Sequence, residues 1–249
     1  MTTADLPDDQ RLLVDLRRLI GSGEYPAGHK LPSIRALSEH YGIDRNVVER
    51  VIRELRDTGL VETRQGAGTF VRTFKAIPRS SPSRLAKARW LGGETIQDAD
   101  TKDRRRELGP PRTGEMPMPD WVAEALGGTV GEPVAFRERR YTVDDRPVQL
   151  STSYLPVDIA RGTQIMHTDS GPGGIYARLA DLGHQPANFI EYVRARMPFP
   201  EEVERLSLPS GTPVLQVTRH AFDADGRCVE VNIMILDGMA FLLDYSFPA

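Results

Sequence analysis

Apolar residues recur every three or four positions at Leu12, Leu13, Leu16, Leu19 and Ile20, a spacing that places them on one face of a helix, and the Gly and Pro residues of 21–28 end it. Residues 33–40 fit a second, shorter helix, with Ser33 placed to cap its start and Gly42 to take the left-handed conformation past its end. A third helix runs from a cap at Asp44 to a stop at Gly59, with Val47, Val48, Val51, Ile52 and Leu55 as its buried stripe. Residues 60–63 and 69–72 then read as two strands around Gln65, Gly66, Ala67 and Gly68. Two short helices across a Gly-containing turn, the second with a basic and amide-bearing outer face, followed by a hairpin, predict a helix-turn-helix with a β-wing.

From about residue 73 to 118 this periodicity gives way to Pro, Ser, Lys and Arg, and residues 76–107 read as a basic linker. Arg79, Arg84, Lys87 and Arg89 then belong to a solvated tether with room for non-specific phosphate contacts, while 84–90 fits a short turn of helix with Trp90 available to dock. The remainder contains a repeat. Pro119-Asp120-x-Val122, Gly131-x-Pro133-Val134, Arg139 and the 144–151 run recur 80 to 81 residues later as Pro200-Glu201-x-Val203, Gly211-x-Pro213-Val214, Arg219 and the 223–232 run. Each unit predicts a short helix, a strand, an Asp/Gly-type turn and a return strand, so the pair supplies four strands of an antiparallel sheet. Between them 176–182 has helical character and 189–197 alternates like a strand. Strict alternation puts Cys228, Glu230 and Asn232 on one face of their strand and Val229 and Val231 on the other.

Charge sharpens the division. Residues 1–75 carry 12 basic and 11 acidic side chains, 76–106 carry 8 and 4, and 107–249 carry 12 and 20, which gives +1, +4 and −8. An N-terminal part that meets a polyanion and an acidic remainder with another task account for that contrast. The single Cys228 excludes a disulfide framework and a Cys-based zinc site, and suits a reducing compartment. Residues 1–10 carry three Asp and no basic residue, unlike a signal peptide, and no apolar run reaches 18 residues, so a cytoplasmic location with no membrane span is expected. His29, His40, His167, His184 and His220 form no pair at metal-ligand spacing, and no cofactor or metal is implied.

The motif Ile20-x-x-Gly23-x-Tyr25-x-x-Gly28-x-x-Leu31-Pro32-Ser33-x-Arg35-x-Leu37, with Tyr41-Gly42-Ile43-x-Arg45, Leu55-x-x-x-Gly59-Leu60-Val61 and Gly66-x-Gly68-Thr69-Phe70-Val71, resembles the winged-helix domain of the GntR family of bacterial regulators. The resemblance implies that Ser33 and Arg35 approach the phosphate backbone, that Asp44, Arg45, Asn46, Glu49, Arg50 and Arg53 face the major groove, and that Arg64 and Gly66 bring the wing to the minor groove. Arg45 suits the O6/N7 edge of guanine and Asn46 the edge of adenine. The family usually has Ser, Thr and Arg where this chain has Asp44, Asn46 and Glu49. Glu49 either accepts from cytosine N4 or pairs with Arg45 or Arg53 along the helix, the commoner use of that spacing.

Over residues 108–247, Arg139, the 144–147 turn, Ser153-Tyr154-Leu155-Pro156, Ile175-Tyr176-x-x-Leu179-x-x-x-Gly183, Gly211-x-Pro213-Val214 and Gly226-x-x-Val229-Glu230 resemble the UTRA effector domain of the HutC-like branch, with a fold similar to chorismate lyase. The expected class is therefore α+β: a winged head (1–75), the linker (76–107) and a sheet domain with flanking helices (108–249). The function implied is a homodimeric repressor on double-stranded operator DNA, released by a small-molecule effector. Candidate effector contacts are Arg139, Tyr141, Ser151, Ser153, Tyr154, Ser170, Gly173, Gly174, Tyr176, Glu191, Glu230 and Asn232. Arg139 suits an anion or a sheet-surface ion pair with Glu191 or Glu230, and the Gly-rich turn at 170–174 suits either a backbone cradle for a ligand oxygen or a purely geometric role. Ser151 stands where sugar-phosphate sensors usually carry an acid and Tyr141 where they often carry Arg, which argues against a phosphosugar. An enzyme of the chorismate-lyase kind and a structural or partition protein that binds DNA without sensing remain the alternatives.

Overall fold

The computed structural model describes residues 6–72, 77–80, 84–96, 100 and 104–245. The chain divides into two compact units, residues 1–75 with 208–212, and residues 76–207 with 213–249.

In the first unit α1 (Asp8–Gly21), α2 (Ile34–Tyr41) and α3 (Arg45–Asp57) precede a hairpin of β1 (Val61–Arg64) and β2 (Gly68–Val71). Local chemistry sets the helix ends. The Ser33 hydroxyl accepts from the Ala36 amide at 3.1 Å, the Asp44 carboxylate from the Asn46 amide at 2.7 Å, and Gly42 ends α2 at φ 66°. The apolar stripes meet in one core of Leu12, Leu16, Leu31, Leu37, Val48, Val51, Ile52, Leu55, Val61 and Val71. Val47 sits half-buried at its edge.

In the second unit, seven strands form an antiparallel sheet in the order β4-β6-β7-β10-β9-β8, and β5 also pairs with β6. The strands are β4 (Arg106–Leu108), β5 (Arg112–Pro117), β6 (Pro133–Val143), β7 (Arg146–Leu155), β8 (Asn188–Arg196), β9 (Val214–Phe222) and β10 (Cys228–Asp237). The repeat becomes two hairpins, β6–β7 and β9–β10, joined through their return strands. Thr152 and Ile233 are equivalent in the repeat and face each other across that junction, so a local two-fold axis passes between them. Asp144 (φ 48°) and Asp145 (φ 63°) form the left-handed two-residue turn of the first hairpin. One face of the sheet packs against a helix at Gly174–Asp181, through Tyr176 and Leu179 on Ala135, Leu155 and Ala221. Helices Asp120–Leu126 and Pro200–Leu206 serve the opposite face, through Val122 on Val134 and Arg205 on Glu138.

Two expectations are corrected. A bulge between Cys228 and Glu230 breaks the alternation: Cys228 pairs with Phe222 but Glu230 pairs with its neighbour Ala221. Cys228 and Glu230 thus lie on opposite faces, and Val229 packs with Ala221 in the core. The linker reading fails as well. β3 (Ile77–Ser80) pairs in parallel with β11 (Phe241–Asp244), the helix α4 (Lys87–Leu91) buries Trp90 among Ala135, Leu155 and Tyr176, and Arg79 and Arg84 are 0% and 1% exposed. A tether would leave these groups in water; here carboxylates hold both arginines, Glu191 at 3.0 Å from Arg79 and Asp100 at 3.0 Å from Arg84. Residues 81–83 of the expected linker lie outside the described residues. Among the described residues no helix is long and apolar enough to cross a membrane.

Trp90→Ala removes a fully buried aromatic from the second unit's core and should cost about 3–5 kcal/mol in urea unfolding of the full chain. A change below about 0.5 kcal/mol, the usual size for a surface residue, would restore the tether reading.

Candidate functional site

On the first unit every candidate side chain is exposed: Ser33, Arg35, Asp44, Arg45, Asn46, Glu49, Arg50, Arg53, Arg64 and Gly66. Their commitments differ. Ser33 and Asp44 spend an oxygen each on capping, Arg35 pairs with Glu39 at 2.7 Å, Arg50 with Asp9 at 2.7 Å, and Arg64 with Glu62 at 2.8 Å while lying over the Phe70 ring at 4.5 Å. Among the described residues Arg45, Glu49 and Arg53 make no ion pair. The expected Glu49 pairing with Arg45 or Arg53 is therefore absent: an exposed pair gains about 0–1 kcal/mol, and the Arg45-to-Glu49 order is the weaker one on a helix. The outer face of α3 presents a free guanidinium, an amide and a free carboxylate within two turns. Lys30, passed over because a lone lysine in a loop carries no pattern, lies 6.0 Å from the Phe70 ring at the base of the wing.

On the second unit the sheet register builds a polar row. Arg137 on β6, Ser153 on β7, Asn232 on β10, Arg219 on β9 and Glu191 on β8 stand side by side across five strands. Beside this row opens a small cleft, partly open to solvent. Of the candidate contacts, Arg139, Tyr141, Ser151, Ser153, Ser170, Gly173, Gly174, Tyr176, Glu230 and Asn232 line it. Arg137, Arg219, Thr95, Ile96, Leu108 and Ile175 join them.

The floor is a hydrogen-bonded chain. Asn232 donates to Ser151 at 3.0 Å and to Ser153 at 2.8 Å; Ser153 donates to Glu230 at 2.6 Å, whose other oxygen accepts from the Tyr176 hydroxyl at 2.7 Å. Burial pushes the Tyr176 phenol well above its usual range, with Glu230 adding to the effect against the opposing Arg219, so it stays a donor. At the rim, Arg137 donates to the carbonyls of Ile165, His167 and Thr168, and burial, with Arg139 nearby, brings its pKa down to about 10. Arg139 donates to the Thr168 carbonyl at 2.6 Å.

Several placements differ from expectation. Tyr154 pairs with Phe136 and Val231 on the opposite face, its ring edge-on to Trp121, because it neighbours Ser153 on an alternating strand. Glu191 does not line the cleft; it is bound to Arg79 at 3.0 Å and Arg219 at 3.7 Å. Arg139 pairs with neither Glu191 nor Glu230, since its row holds Ser151 and Met234, and Glu230 lies four residues along the sheet. The 170–174 turn offers fewer free amides than a cradle needs: Gly171 donates to Asp169, Gly173 to the Gly93 carbonyl at 3.0 Å, and Gly174 to that of Gly171 at 3.1 Å. A Cβ on Gly173 would stand 2.2 Å from the Trp90 carbonyl, so its glycine serves close approach to the α4 segment. A signal for Arg219 did exist, as the repeat partner of Arg139.

Residues 10–71 match the family model for bacterial regulatory proteins of the gntR family, and residues 112–241 match that of the UTRA domain. The chain is 31% identical over 236 residues to an uncharacterized HTH-type transcriptional regulator of Streptomyces coelicolor, covering 92% of this chain and 88% of that protein. It is 26% identical over 206 residues to the HTH-type transcriptional repressor PhnF of Mycolicibacterium smegmatis, covering 82% and 78%. Among solved structures, a GntR-family transcriptional regulator aligns over 100% of both chains with TM-score 0.69 at 26% identity. PhnF from Mycobacterium smegmatis aligns over 96% of this chain and 99% of its own with TM-score 0.57 at 23% identity, a likeness of fold.

Tyr176→Phe deletes one of the two side-chain donors to the buried Glu230 carboxylate and should cost about 1.5–3 kcal/mol at neutral pH, the range for a bond to a charged group. Thermal unfolding of the full chain reads it. An unchanged transition would mean that the carboxylate is satisfied without the phenol.

Proposed function

Because the chain belongs to the GntR family of bacterial regulatory proteins and carries a UTRA domain, which makes it a transcriptional regulator with a DNA-binding and an effector-sensing domain and not an enzyme, we propose that it acts as a homodimeric repressor released by a small molecule. The observation that carries this reading is the pairing of two different chemistries in one chain. An exposed helix face offers Arg45 and Asn46 to base edges, and a buried polar cleft offers hydrogen-bonding groups to a metabolite. The description of PhnF as a repressor supports the sign of regulation.

One such head reads only a few base pairs, whereas two heads about one helical turn apart, roughly 34 Å, read an inverted repeat and multiply the discrimination. The edge strand β8 suits the dimer contact: it ends the sheet, and Ile190, Tyr192 and Val193 are 39%, 57% and 43% exposed, with Met197 and Phe199 exposed just beyond. In this scheme Ser33 and Arg35 position the head on phosphates, Arg64 and Gly66 bring the wing to the minor groove, and Arg45, Asn46 and Glu49, with Arg50 and Arg53 beside them, face the major groove of a cytoplasmic operator. The Glu49 carboxylate shifts the preferred sequence toward an exposed cytosine N4. An effector in the cleft lowers operator affinity by linkage, and a coupling of about 1–3 kcal/mol corresponds to roughly 5- to 150-fold.

Selection of bound sequences from random DNA by the full chain should return an inverted repeat with half-sites about 10 base pairs apart. On that site Arg45→Ala should cost about 1–3 kcal/mol and relax one base position per half-site, while Arg35→Ala weakens binding to all sequences and flattens the salt slope. Equal losses on selected and random DNA for both variants would remove the division between reading and positioning. Sedimentation of the full chain should give a dimer, and Tyr192→Asp should shift it toward monomer; a monomeric wild type would overturn the two-headed reading.

A further inference from the structure

The cleft wall carries Arg137, Arg139 and Arg219 against a single carboxylate, Glu230, and that carboxylate already accepts from Ser153 and Tyr176. The three arginines are not equivalent. Arg137 is consumed by three backbone carbonyls; Arg139 donates from Nη2 to one and keeps an unpartnered Nε, at a half-exposed position. Arg219 is 2% exposed, and its Nε and Nη1 atoms have no hydrogen-bond partner. Its nearest carboxylate, Glu191, stands 3.7 Å away and is drawn closer to Arg79, at 3.0 Å. Its row neighbour Asn232 gives its amide hydrogens to serines. The Tyr176 ring lies 5.4 Å from the guanidinium, and Tyr176 supports its charge, while Nε and Nη1 stay without a hydrogen bond.

A buried cation on a cleft wall, with Nε unpartnered and Nη1 in only a long 3.7 Å ion pair, is costly unless something anionic completes it. Burial works against the Arg219 charge, yet Tyr176, Glu230 and Glu191 outweigh it and keep the guanidinium protonated, so the group does not escape the cost by losing its proton. The turn at 170–174 cannot supply the anion contact in its place, since its Gly171, Gly173 and Gly174 amides are taken.

Resting on the reading of this cleft as the effector site, we propose that Arg219 anchors the effector's acid group, so that the effector is a small organic acid seated with its carboxylate or phosphate at the sheet floor. Ser151 and Asn232, beside the anchor, then meet uncharged hydroxyl or carbonyl groups of the same molecule, and Arg139 contacts it only at the rim.

The test uses the full chain in thermal-shift and calorimetric titrations at constant ionic strength. The probes are benzoate, succinate and inorganic phosphate, with benzamide and succinamide as neutral counterparts. At least one acid should stabilise the protein where its amide does not, and a response to phosphate alone would assign the acid group as a phosphate. Arg219→Gln should weaken that acid about tenfold or more, the scale of a lost charge-assisted bond, whereas Arg139→Gln should weaken it less than about threefold. Should Arg219→Gln fail to fold, Arg219→Lys keeps the charge without the fork and should retain weaker binding. Equal binding of acid and amide, full affinity in Arg219→Gln, or no response to any acid at about 50 mM would overturn the anchor. Selected operator DNA in the same samples separates the two claims. An acid held by Arg219 that leaves DNA binding unchanged counts against the proposed function and keeps the anchor; a neutral molecule that releases DNA keeps the function and overturns the anchor.

Discussion

A carboxylate placed in the middle of a β-sheet dictates much of what surrounds it. Glu230 is 2% exposed on a central strand, and an ionised group there is tolerable only if donors reach both of its oxygens. Ser153 on the neighbouring strand reaches one, and Tyr176 on the covering helix reaches the other. Asn232 in turn orients Ser153. The bulge before Glu230 is part of the same arrangement, because without its extra residue Glu230 would fall on the opposite face from the helix that completes it. Polar satisfaction thus fixes the height and rotation of the helix over the sheet, and the gap between them is the cleft.

The segment that follows the winged head belongs to this arrangement. β3 joins the sheet domain through β11, Arg79 and Arg84 are buried against Glu191 and Asp100, and Thr95, Ile96 and Leu108 stand on the cleft wall. Burial pulls the Arg79 pKa down to about 9, with Arg84 adding to the effect, which marks how far these groups have been taken from water. Residues of this segment therefore touch the same space as the polar row of the sheet. A change of charge at Arg219 is felt by Glu191 and, through it, by Arg79 on β3. Arg219, Glu191 and Arg79 thus form one contiguous charged network from the cleft wall to β3.

Much of the head was legible in the sequence because its signals are local: caps at Ser33 and Asp44, a stop at Gly42, and stripes at helical spacing. The repeat carried the hairpins of the sheet for the same reason, and it marked Arg139 and Arg219 as equivalents. What escaped depends on contacts distant in sequence. Burial of Arg79, Arg84 and Trp90 is decided by residues up to 155 positions away, so a stretch rich in Pro, Ser and Arg looked like a tether. Commitment of the Gly173 amide to Gly93 is invisible in a Gly-rich turn, and a bulge of one residue moved Cys228 to the other face. The difference between Arg139 and Arg219 lies in which of them found carbonyl partners, and that only the register reveals.

The central claim is that cleft and operator share one free energy. The most direct measurement is operator affinity by fluorescence anisotropy, without and with a saturating amount of the organic acid that stabilises the protein most. The account predicts that the operator Kd rises roughly 5- to 150-fold and that the acid's own Kd rises by the same factor on the DNA-bound protein, as reciprocity demands. An operator Kd that stays the same at saturation would contradict it, and the cleft would then be a binding site without a message.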